Sequence, residues 1–146
     1  MAKPKSGDRP ANGRKLEPEL TLFEVGGNLT MFKAEPDRDL HLVIADLNSP
    51  QQTMVAEILN TECKLACQSL ARTKIRDART EFLEQCGAPA KKFKTVNPPI
   101  QVTVKGIGFF DKSSHGNGAA SNGIELHPVI EISFSLSNGE CSNRAQ

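Results

Sequence analysis

Apolar and polar residues alternate along most of this chain, and the alternation sorts it into five strands and one helix. From Glu19 to Lys33, Leu20 and Leu22 fall on one face and Leu29 and Met31 on another. The pattern predicts two strand segments joined by a bend or bulge at Gly26-Gly27. A charged turn, Pro36 to Asp39, leads into Leu40–Asp46, where Leu40, Leu42 and Ile44 point one way and His41, Val43 and Ala45 the other. After the loop Asn48-Ser49-Pro50, Met54, Ala56 and Ile58 alternate with Val55 and Glu57 as a third strand.

The period then changes. Leu65, Leu70, Ala71, Ile75, Ala78 and Phe82 recur mostly at three or four residues, which predicts a helix. Thr61 offers an N-cap, and Gly87 followed by Pro89 stops the helix. Alternation returns at Ile100–Phe110, with a phase change at Gly106 that reads as a bulge or barrel corner. Residues 111–123 form a polar, glycine-rich loop, and such long loops inside compact domains are often functional. A last strand, Ile124–Leu136, is interrupted by Pro128. The order β-β-β-α-β-β predicts a mainly β (α+β) fold: a five-stranded OB-like barrel with one helix between strands 3 and 4. An open α+β sheet covered by the helix is the alternative.

Composition narrows this picture. The 146 residues fit one domain, with 38% hydrophobic and 24% charged residues, values of an ordinary globular chain. Residues 1–16 hold Lys3, Lys5, Arg9, Arg14 and Lys15 against one acid, Asp8, while the whole chain carries only +1. A disordered basic tail over 1–18, a single domain over 19–137 and a flexible polar tail over 138–146 are expected. The folded body is therefore mildly acidic, which disfavours a broad nucleic-acid groove. No apolar run approaches the roughly 18 residues of a membrane helix, so no membrane role is expected. A monomer is expected. No signal peptide is visible, and the compartment is open between a secreted mature form and the cytoplasm. Cys63, Cys67, Cys86 and Cys141 lack paired metal-site spacing; free thiols are the default, although Cys63 or Cys86 has Cys141 as a candidate partner.

Chemistry concentrates around three histidines. Glu125 and His127 lie two apart on the last strand, so their side chains project side by side. His41 lies opposite its strand's main apolar set, with Asp39 two positions before it and Asp46 at the strand end. His115 and Asp111 sit on the long loop. If the first and last strands are neighbours, these groups converge at one rim. Imidazoles with carboxylates suit a divalent cation such as zinc, manganese or calcium. Without a metal, His127 or His41 is a candidate general base oriented by a carboxylate.

Two resemblances arise at these residues. The pattern Asp37-x-Asp39-x-His41-Leu-Val, then Gly108-Phe-Phe-Asp111, His115-Gly116 and Asn122-Gly-Ile-Glu-Leu-His-Pro-Val129, resembles a bacterial family of small proteins without an established activity. The similarity spans roughly residues 25–135 and implies that the polar positions form one block. More weakly, His41-Leu-Val-Ile-Ala-Asp46 is similar to a strand of staphylococcal-nuclease-like OB domains. That resemblance implies a metal-ligand role for Asp46, although His41 stands where that family has a phosphate-binding Arg and the following carboxylate is missing.

The leading expectation is a metal-assisted hydrolase of a phosphodiester. Its catalytic residues would be His127, Glu125 and His41, its metal ligands Asp39 and Asp46, and its substrate contacts His115 and Asp111. The alternative is a non-catalytic OB-like module binding an oligonucleotide, an oligosaccharide or another small polar ligand. Against nucleic acid stands the absence of Trp and Tyr, with only seven Phe for base stacking. A third reading gives the polar block a purely structural role, tying down the long loop.

Overall fold

In a computed structural model, residues 21–62, 72–110, 118–136 and 139–146 are described. Each strand offers one apolar face, and five such strands satisfy both the faces and their edges by closing into a ring. The elements are β1 (Leu22–Ala34), β2 (Leu40–Ala45), β3 (Thr53–Ile58), α1 (Arg72–Cys86), β4 (Lys94–Phe110), β5 (Ile124–Phe134) and α2 (Glu140–Arg144). Hydrogen bonding runs β1-β2-β3-β5-β4 and returns from β4 to β1. All pairs are antiparallel except β3 with β5, where Val55 and Ala56 face Glu125 and Leu126 in parallel. The first and last strands are thus not neighbours as expected: β1 closes on β4, and β5 slots between β3 and β4.

The interior holds Leu29, Phe32, Leu40, Leu42, Ile44, Ala56, Ile58, Ile100, Val102, Val104, Leu126 and Val129, all buried. Helix α1 contributes Ile75, Ala78 and Phe82 to the same core and packs chiefly on β5. The expected helix start, with its Thr61 cap and Leu65, falls on or beside residues 63–71, which lie outside the described residues.

Two glycine expectations resolve differently. β1 runs unbroken through Gly26-Gly27, and its register shifts instead between Leu29 and Met31. Gly27 is there for close approach: a Cβ would meet Ile44 Cγ2 at 2.5 Å and the Ala45 carbonyl oxygen at 2.7 Å. At Gly106 the expected irregularity is present, with register shifts on both sides of it against β5.

The residues after 138, expected as a flexible polar tail, are docked. Cys141 is bonded to Cys86 at the end of α1 and is itself buried. Thr95 and Gln146 exchange both backbone hydrogen bonds, N to O at 2.9 Å each way. Free thiols are thus corrected for this pair: the end of α1 and the short α2 bring Cys86 and Cys141 to a Cα separation of 4.6 Å. Nothing in a strand-and-helix periodicity marks that approach.

Candidate metal centre

His41 leaves β2 on the side away from the core, yet it is only 8% exposed. The β1–β2 turn folds Glu35 over it, so that Nδ1 lies 2.9 Å from Glu35 Oε1. The Phe93 ring covers it edge-on, with centroids 5.5 Å apart, and the Lys33 ammonium stands over that Phe93 ring, 4.9 Å from its centroid. Across the hairpin, antiparallel register sets Glu57 of β3 opposite His41. Glu57 Oε1 is 3.6 Å from His41 Nδ1.

β5 completes the cluster from the far side of β3. His127 Nε2 lies 3.6 Å from Glu57 Oε2, and its Nδ1 lies 3.2 Å from Glu125 Oε1. Phe109 flanks the His127 ring at 5.5 Å, as Phe93 flanks His41. Glu125 is itself buried. Asp39, at the end of the β1–β2 turn, accepts a 2.7 Å hydrogen bond from the Asn60 backbone N–H. Two trios result, Glu35–His41–Glu57 and Asp39–Glu57–His127, and within each the ligand-type atoms all lie within 4.8 Å of one another. Glu57 belongs to both.

This arrangement redraws the expected site. Asp39, His41, Glu125 and His127 are brought together, but through Glu57 and not by direct pairing of Asp39 with His41. His41 pairs with Glu35 and Glu57, while Asp39 joins the His127 trio. Asp46 is not part of the cluster: it lies beyond the opposite end of β2 and accepts hydrogen bonds from the Asn48 and Ser49 N–H groups at 2.8 and 2.9 Å. That is the ordinary work of an Asx turn, which explains an Asp at that position without a cation. His115 and Asp111 lie outside the described residues.

Sequence reasoning missed Glu35, Glu57 and Arg79. Arg79 projects from α1 toward the Asp39 end of the cluster, where its Nη1 is buried and has no hydrogen-bond partner among the described residues. Burial pulls the guanidinium below its ordinary pKa, and Asp39 and Glu62 push it back up. Burial likewise raises the Asp39 carboxyl; the Asn60 N–H opposes this, Asp37 and Glu57 add to it, and His127 opposes it.

The Asp39 shift has a stability consequence. A carboxyl whose folded pKa is raised holds its proton more tightly when folded, so its ionisation costs stability at every pH above that raised value. Asp39→Asn keeps an acceptor for the Asn60 N–H and removes the charge. In chelator-treated protein the variant should therefore unfold at a higher temperature than wild type at pH 7. The advantage should shrink as the pH is lowered through the carboxylate range. A variant less stable than wild type at pH 7 would show that Asp39 is held by attraction and not opposed by burial.

Compared with protein-family models, curated proteins and solved structures, the chain matches none.

Proposed function

We propose that this protein is an OB-like barrel that binds a divalent cation in the Glu57 cluster and uses it to hydrolyse a phosphodiester. The observation that carries this reading is the convergence of two imidazoles and four carboxylates, from β2, β3, β5 and the β1–β2 turn, on one place outside the core. Mixed nitrogen and oxygen donors suit zinc or manganese, whereas calcium prefers oxygen alone. The second and third strands of OB barrels, with the adjacent first loop, form the face on which that fold binds polyanions. Here that face carries His41 and Glu57, and that loop carries Glu35 and Asp39.

A bound cation would lower the pKa of a coordinated water and neutralise phosphate oxygens. In the hydrolysis, the water oxygen bonds to phosphorus, the ester P–O bond breaks, and the departing alcohol receives a proton. Arg79 supports an anionic substrate, since it adds a positive charge beside Asp39 and a guanidinium is suited to phosphate oxygens. The resemblance of residues 25–135 to the bacterial family agrees with this, because the same block supplies His41, Glu125 and His127. The nuclease-like resemblance keeps its reaction class here without its ligand Asp46. The Cys86–Cys141 disulfide favours an oxidising compartment, as for a secreted mature protein.

The test is direct. Metal-free protein titrated with zinc or manganese should gain thermal stability: at one hundred times Kd, binding adds about 2.7 kcal/mol. The loaded protein should hydrolyse bis(p-nitrophenyl) phosphate, and this hydrolysis should vanish in His127→Ala. No thermal shift with zinc, manganese or calcium would overturn the reading.

A second reading is favoured by one observation. At the opposite end of β2 and β3, a cleft of about 530 Å³ is lined by Asp46, Gln51, Gln52, Thr53, Ser121 and Asn122 among others. Its volume falls in the ligand-pocket range, and amide and hydroxyl linings suit a sugar. A non-catalytic oligosaccharide module would show saturable glycan binding that Gln52→Ala weakens and His127→Ala leaves unchanged.

A further inference from the structure

The two oxygens of Glu57 face different histidines. Oε1 is turned to His41 Nδ1 and Oε2 to His127 Nε2, each at 3.6 Å. One carboxylate thus stands between two imidazoles, and each imidazole has a further carboxylate of its own: Glu35 beside His41, Asp39 beside His127. No single cation needs a donor set arranged in this way. A cation on the His41 side would take Oε1, Nδ1 and Glu35, and one on the His127 side would take Oε2, Nε2 and Asp39.

We propose that the cluster is a two-cation centre in which Glu57 bridges the ions. This deepens and rests on the metal-dependent reading above. Bridged pairs in phosphoesterase sites stand about 3.5–4 Å apart, the spacing a carboxylate spans through its two oxygens. Three protein donors on each side leave coordination positions for water and for phosphate oxygens. Such a pair clamps both the attacking and the leaving oxygen of a phosphoryl centre, so the substrate class is a phosphate ester.

Glu125 has a separate role in this centre. It holds His127 Nδ1 while Nε2 faces Glu57, the arrangement by which a carboxylate fixes the tautomer and direction of a metal-binding imidazole. Glu125 is thus a positioning residue and not a ligand. Its burial fits that assignment, because an orienting group needs no access to solvent or substrate.

Full-length protein stripped with chelator, reloaded with manganese and desalted should contain two ions per chain by elemental analysis. Its electron paramagnetic resonance spectrum should show two coupled ions. His41→Ala and His127→Ala should each retain one ion and lose the coupling. Glu57→Gln should weaken both sites by at least tenfold. Glu125→Gln should keep two sites while weakening one by about 10–100-fold, the usual effect of removing an orienting partner. Circular dichroism melts of each variant confirm that it is folded. One ion per wild-type chain, or all metal lost in either histidine variant, overturns the bridge and leaves a mononuclear hydrolase standing. Two ions bound at wild-type affinity in Glu57→Gln also overturns it. No metal in wild type overturns both readings.

Discussion

Phe82→Ala should remove about 3–5 kcal/mol from the unfolding free energy, the range for truncating a buried aromatic side chain. Phe82 is fully buried and is the point at which α1 enters the core. Its ring meets Phe32 of β1 edge-on at 5.0 Å and Phe134 of β5 in a tilted contact at 6.4 Å. Such aromatic pairs add about 0.5–1.5 kcal/mol beyond the area they bury. β1 and β5 are not hydrogen-bonded to each other, so this side chain ties together two strands that the sheet leaves apart. A domain of this kind has only about 5–15 kcal/mol in total, so the variant should be close to the margin. Equilibrium unfolding in urea is the measurement: the midpoint should fall sharply, and Phe82→Leu should lose less because most of the volume is kept. A loss below about 1 kcal/mol for Phe82→Ala would mean that α1 rests on the ring without filling it.

Most of the architecture was legible because each strand carries its own period. Leu40, Leu42 and Ile44 enter the core as their alternation requires, and so do Ile100, Val102 and Val104. The stripe Ile75, Ala78 and Phe82 identifies the buried face of α1 in the same way. Periodicity reports which face is buried and says nothing of which strand lies next door. That is why β5 was expected beside β1 when it lies between β3 and β4. The error propagated to the site: with β5 on β3, the natural partner of His127 is Glu57.

One signal for Glu57 was present in the sequence. The turn around Ser49 joins β2 to β3, and pairing across an antiparallel hairpin is symmetric about its centre, so that His41 must face Glu57. Cross-strand neighbours of this kind are the unit of interaction in a sheet. Glu35 had no such signal. It reaches His41 by the path of the β1–β2 turn, where Asp39 N donates to Asp37 Oδ1 and Arg38 takes a positive φ of 70°. Asp46 erred in the other direction: a strand-end Asp satisfies a turn as well as it satisfies a cation, and geometry alone separates the two.

Opening the Cys86–Cys141 bond should cost about 4 kcal/mol, and the loss should be largest for the segment that carries the cover of His41. The bond closes a separation of 55 residues, and the chain-entropy cost of a loop that long lies between the roughly 3 and 4.7 kcal/mol of 15- and 100-residue loops. What it secures is the first half of β4. α2 packs there, Ala145 bridges to Val96, and Arg144 Nη1 reaches the Pro98 and Pro99 carbonyl oxygens at 3.4 and 3.5 Å. Immediately before that half strand stands Phe93, whose ring flanks His41. The double variant Cys86→Ser, Cys141→Ser avoids leaving a single reactive thiol and should lower the urea midpoint by the corresponding amount. Hydrogen exchange should then rise first at Thr95, whose N–H donates to the Gln146 carbonyl oxygen, while the β2–β3 ladder keeps its protection. Uniform loss of protection across the ring would instead mean that the bond acts only on the unfolded chain. Local loss would show that the docked C-terminus holds the wall of the His41 site in place.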